Sequence, residues 1–89
     1  MELFEDDDEG YLQWVETNPE GFVLNSERHP SARYLLLHRA ICGTICTRKR
    51  TNYTTTGYIK VCASNKKELE AWAMPETGGR FTAYHLCNP

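Results

Sequence analysis

Apolar positions fall into short periodic runs separated by polar punctuation, and those runs predict most of the elements. Tyr11, Leu12, Trp14 and Val15 give a stripe at helical spacing behind a run of aspartates. A helix is therefore predicted over 7–17, with the Asp run supplying N-cap oxygens at the positive end of its dipole. "NPEG" at 18–21 ends it, because the residue before Pro19 is driven out of the helical region and Gly21 admits a turn. "GFVLNS" (21–26) reads as a strand, "ERHPSA" (27–32) as a polar turn around Pro30, and "RYLLLHRA" (33–40) as a second strand. The two are spaced to form a hairpin. The run Tyr34 to Leu37 is apolar at every position, which predicts a central strand covered on both faces.

"YIKVCAS" (58–64) alternates as a third strand, with Ile59 and Val61 on one face and Tyr58, Lys60 and Cys62 on the other. In "SNKKELEAWAM", Ser64 or Asn65 is placed to cap a helix, and Asn65 with Glu68 three residues later resembles a capping box. Leu69, Trp72 and Ala73 form its buried stripe, and Pro75 with "TGG" (77–79) is expected to stop it. "RFTAYHLCNP" (80–89) closes as a short extended segment. The order predicts a small α+β domain: an antiparallel sheet of three or four strands with two helices packed on it. Trp14 and Trp72 are expected in one core. At 89 residues the chain is near the lower limit for a single unstapled core, so a metal ion or a partner subunit is a useful addition.

Charge changes this picture at one end. The net charge of −2 hides a split, since residues 1–10 hold six acids and no base, leaving six acids against ten bases in 11–89. Residues 1–6 are accordingly read as a mobile acidic N-terminus and 7–89 as a single domain. The plain reading is a solvated tail that also caps a helix. The sharper one is an acidic arm that covers a basic surface until nucleic acid displaces it. No run is apolar enough to cross a bilayer, and "MELFEDDD" lacks the basic and apolar regions of a signal peptide. The expected location is cytoplasmic, where Cys42, Cys46, Cys62 and Cys87 stay reduced and serve in metal binding, as a reactive thiol or in burial.

"YLLLHRAIC" (34–42) carries the candidate chemistry. His38 and Cys42 are spaced to converge, either on one side of an extended strand or across a turn that follows His38. Three readings stand: packed core residues, two ligands of a zinc ion, or a thiol nucleophile with its base. A tetrahedral zinc site needs four N or S ligands, usually as two close pairs. "YHLCNP" near the C-terminus offers His85 and Cys87, with Tyr84 where a C-x2-C pair would have its first cysteine.

The H-x3-C pattern after an apolar strand, then a strand, a helix of "ELEAWA" type, "GG" and a terminal Cys before Pro, resembles the small zinc-binding domain of the Ada DNA-repair proteins. The resemblance covers about residues 34–89. It implies His38 and Cys42 as a first ligand pair and Cys87 as the last ligand. Tyr84 stands in place of the third, so the second pair is degenerate: either His85 is its substitute or the site is a metal-free relic. The resemblance also implies a role with DNA. "YLLLHRAIC" with "GYIKVCAS" is similar to a family of short uncharacterised bacterial domains, which implies no activity. The expected cluster of His38, Cys42 and Cys87 is at least partly buried. No cofactor is expected, zinc being the one that the pattern admits.

"TRKRTNY" (47–53) is the remaining feature. Its plain reading is a solvated loop tip. Its functional reading is a nucleic-acid contact in which Arg48, Lys49 and Arg50 meet phosphates and Tyr53 stacks on a base, extended by Lys60 on the same surface. The expected function is a small binding module for nucleic acid, with DNA preferred through the Ada-type resemblance. The alternative is a protein-interaction or regulatory accessory protein that forms a homodimer or docks on an enzyme. An enzyme using Cys42 and His38 ranks last, since the sequence holds no acid pair, Gly-rich phosphate loop or complete triad.

Overall fold

Buried side chains alternate along the middle strands, and each set meets a different helix. The computed structural model describes residues 1–31, 34–40, 54, 57–78 and 81–83. Their elements are β1 (Glu2–Phe4), α1 (Asp8–Thr17), β2 (Phe22–Ser31), β3 (Tyr34–Arg39), β4 (Tyr58–Ala63), α2 (Lys66–Thr77) and β5 (Thr82–Ala83). The sheet order is β1-β4-β2-β3-β5. The first four strands pair antiparallel, and the two residues of β5 pair parallel with β3. The domain is thus α+β, as its sequence predicts.

Val23 and Cys62 join Tyr11 and Val15 of α1 in one cluster, with Phe4, Leu12 and Trp14 at its margin. Their strand neighbours Leu24, Val61 and Ala63 join Leu35, Leu37, and Leu69 and Ala73 of α2 in a second, with Phe22, Trp72 and Phe81 around it. Consecutive strand residues point to opposite faces, so the two helices cover opposite faces of the sheet. Trp14 and Trp72 therefore belong to two cores, where the sequence reading put them in one. The apolar run of β3 divides in the same way: Leu35 and Leu37 are buried toward α2, and Leu36 is half-buried on the other face.

The first residues, read from the sequence as an acidic arm, take part in the sheet. Glu2–Phe4 form an edge strand on β4, with Phe4 opposite Lys60 and its ring edge-on to Tyr11 at 6.1 Å. The apolar residues Leu3 and Phe4 let the acidic stretch begin as a strand. β2 is also longer than read. It continues past Ser26 because β4 pairs with it as far as Glu27, and its register against β3 shifts between Ser26 and Ser31. Asp7 caps α1 through a bond that its side chain accepts from the Gly10 amide at 2.9 Å.

Candidate functional site

β4 sets Tyr58, Lys60 and Cys62 on the face that α1 covers. β2 runs alongside with Asn25 opposite Lys60 and Glu27 opposite Tyr58. Alternation on β3 brings Tyr34, Leu36 and His38 to the same face. Toward Val23 and Cys62 this face is apolar and lies under α1. Toward Asn25 it is polar, and there the side chains are linked.

Lys60 is 4% exposed. Its Nζ donates to Asn25 Oδ1 at 2.7 Å and lies 5.9 Å from the Tyr11 ring centroid and 6.0 Å from that of Tyr58. Asn25 Nδ2 donates in turn to the Tyr34 hydroxyl at 3.0 Å. The Tyr34 and Tyr58 rings meet across β2 with centroids 5.2 Å apart and planes tilted by 42°. Loss of hydration drives the Lys60 amine down from 10.5 to about 8, against the pull of the Asp8 carboxylate. His38, equally buried, is pushed down from 6.5 to about 4, first by burial and then by the charge of Lys60. It is neutral at physiological pH, the state in which imidazole ligates a metal. Burial raises the Tyr34 phenol, so its hydroxyl stays neutral as it accepts from Asn25. Cys62 is fully buried, and desolvation pushes its thiol far up, which leaves it unreactive.

A second polar knot stands where the connection from β3 returns. The Thr54 amide and hydroxyl donate to Asp8 Oδ1 at 2.6 and 2.7 Å, and the Thr54 hydroxyl accepts from the Asp7 amide at 2.7 Å. Arg28 donates to Asp6 Oδ1 at 2.6 Å, to Glu5 at 3.0 Å and to the Thr54 carbonyl at 3.0 Å. The bond from Arg28 holds the Asp6 carboxyl below its ordinary range. Asp6 sits at φ 57, a left-handed conformation that Asp tolerates better than most residues. The acidic stretch thus binds Arg28 and Thr54 within its own fold.

Of the residues expected to contact nucleic acid, Lys60 is placed, and its ammonium is enclosed beneath Tyr58 and Tyr11. Arg48, Lys49, Arg50 and Tyr53 lie outside the described residues. Of the expected metal ligands, His38 is placed in β3, while Cys42, His85 and Cys87 lie outside them. Among the described residues no group of three or more His, Cys, Asp or Glu side chains is arranged to hold a metal ion. Neither is any helix of the described residues long and apolar enough to cross a membrane.

Sequence reasoning missed Asn25, Tyr34 and Tyr58 as members of a site. One signal was present: Asn25 shares its face with Val23, and a polar residue at a core-facing position marks a buried hydrogen bond. The ends of the basic connection also bear on the site. Ala40 packs in the α1 cluster, and Thr54 bonds to the first turn of α1. Comparison with protein-family models, curated proteins and solved structures gives no match.

Proposed function

We propose that this protein is a small nucleic-acid-binding module working from the α1 side of its sheet. The observation that supports this is co-facial placement. Ala40 and Thr54, which bracket the segment bearing Arg48, Lys49, Arg50 and Tyr53, both lie on the α1 side, where Tyr34, Tyr58 and Lys60 stand. Both ends of the basic segment thus share a side of the sheet with two aromatic rings, and cations for phosphates with rings for bases are what such binding uses. Lys60 adds charge from beneath the surface rather than a direct phosphate contact. DNA is favoured over RNA by the Ada-type resemblance alone. The test is a fluorescence-anisotropy titration at two salt concentrations with the chain and with Arg48, Lys49 and Arg50 replaced together by Ala. The replacement is expected to weaken binding at least about tenfold and to flatten the salt slope, because each phosphate contact releases counterions. Equal affinity and slope for both proteins would sink the reading.

A second reading has its own observation. The outward side of α1 presents Glu9, Gln13 and Glu16, and the acids of residues 5–8 are exposed or half-buried beside it. That acidic surface suits a protein-interaction or regulatory role toward a basic partner. It becomes the preferred reading if the chain binds no oligonucleotide at low salt.

A further inference from the structure

β1 lies at the edge of the sheet and gives no fully buried side chain to either core. Glu2 and Leu3 are exposed, and Phe4 packs half-buried at the margin of the α1 core. The positions it covers are different. Lys60, Val61 and Cys62, opposite Phe4, Leu3 and Glu2, are all buried. A three-residue ladder and one ring thus hold a strand over a dry neighbour, and ion pairs pin its ends. At one end Arg28 binds Glu5 at 3.0 Å and Asp6 at 2.6 Å. At the other the Met1 amine stands 3.4 Å from a Glu68 carboxylate oxygen. All three pairs are open to solvent, where salt screens them.

We propose that residues 1–6 are a detachable strap, latched by these ion pairs, which rising ionic strength releases from β4 while the rest of the fold stays closed. The backbone marks where the strap parts from the body. α1 carries its own cap, since Asp7 accepts from the Gly10 amide, and Thr54 ties down Asp7 and Asp8. Neither arrangement needs β1. Between them and the strand lies Asp6, at φ 57, the one non-glycine residue of positive φ among those described. That sparsely populated conformation is held by the bonds of Asp6 to Arg28 and to the Thr54 carbonyl. Opening forfeits little apolar burial, because the strand buries no side chain fully, and water takes up the ladder groups set free. The latch therefore sets how often the strap is open. In the open state β4 changes from an inner strand to the edge of the sheet, with Lys60, Val61 and Cys62 along it.

Native-state hydrogen exchange tests this, because a local opening frees only the amides it exposes. Protection factors are measured by NMR for the wild-type chain at low salt and at about 0.5 M sodium chloride, where the Debye length is shorter than the reach of an exposed pair. The amides that bond β1 to β4 should lose protection about fivefold at the higher salt, while those that bond β2 to β3 keep theirs. The double variant Glu5→Gln, Asp6→Asn neutralises the latch at one end, leaves Arg28 its bond to Thr54, and suits the left-handed backbone that asparagine also tolerates. It should show a similar loss at low salt and at most half the wild-type response to added salt. Should the variant fail to fold, the wild-type salt series decides alone. Equal loss in both sets of amides would mean that β1 leaves only when the whole domain unfolds. Protection between β1 and β4 that ignores salt would mean that the ion pairs do not hold the strand. Either result would overturn the strap.

Discussion

A lysine at 4% exposure inside a small domain gives up most of its hydration, and that loss penalises its charged form. The consequence is a pH dependence with a definite sign. In the unfolded chain the amine keeps its ordinary affinity for protons, and in the fold it titrates at about 8 instead of 10.5. Between those values the unfolded state binds more protons, so stability rises with pH across the window, and below it the full penalty of the buried charge is present. Among the described residues, Lys60 shares its side of the sheet with Phe4 of β1, Asp8 and Tyr11 of α1, Asn25 and Glu27 of β2, His38 and Tyr34 of β3, and Tyr58 and Cys62 of its own strand. All of them are retained in Lys60→Met. Urea unfolding of the two proteins between pH 7 and 10.5 should show the wild type gaining stability relative to Lys60→Met as pH rises. A constant difference would mean that the amine keeps an ordinary proton affinity in the fold. Thr54 makes the opposite case, a buried polar residue whose bonds are met by Asp7 and Asp8. Thr54→Val removes the hydroxyl at nearly constant shape and strands the Asp7 amide. It is expected to cost about 1–3 kcal/mol in urea unfolding.

Elements were legible where their signals are local. Asn65 caps α2 by accepting from the Glu68 amide at 3.0 Å, the cap bond that the sequence announces, and its side-chain amide donates to the Glu68 carboxylate at 3.2 Å. Asn65→Ala should lower stability by about 1 kcal/mol, read from the shift of a thermal or urea midpoint. A neutral result would place the capping energy elsewhere. The end of the same helix was read in part: it stops at "TGG", with Gly78 as its cap, but Pro75 lies inside it. Proline removes one amide donor from the last turn, and the helix closes beyond it where Gly78, at φ 71, donates its N–H to Met74 O at 3.0 Å. Gly21 was read as a turn former. Its reason is proximity: a Cβ there would lie 2.7 Å from the Trp14 ring and 3.2 Å from the Ala63 carbonyl. The alternation of β4 placed Lys60 and Tyr58 on the correct face, yet the burial of Lys60 depends on where α1 docks, some fifty residues away in sequence. The contact of Tyr34 with Tyr58 depends on two registers through β2, and no local pattern encodes a register.

At the scale of the molecule, β2 and β4 furnish both cores. Val23 and Cys62 face α1, while Leu24, Val61 and Ala63 face α2. Neither helix keeps its apolar stripe covered if these two strands separate, and neither face of the sheet stays dry without its helix. Loss of one core therefore exposes the backs of the residues that build the other, which couples the two in a single transition. Trp14 reports on the α1 core and Trp72 on the α2 core, so each can be followed alone after the other is replaced by Phe. The two single-tryptophan proteins should show urea transitions in which fluorescence and far-UV circular dichroism coincide, each giving one midpoint for both probes. Leu24→Ala, placed in the α2 core, then supplies the decisive comparison. Removing a fully buried leucine costs about 2–5 kcal/mol through lost transfer energy and the cavity left behind. If the cores are coupled, that loss appears undiminished at Trp14 on the far face of the sheet. If Trp72 alone moves, the α1 side unfolds as a separate unit, and the strands do not transmit packing from one face to the other.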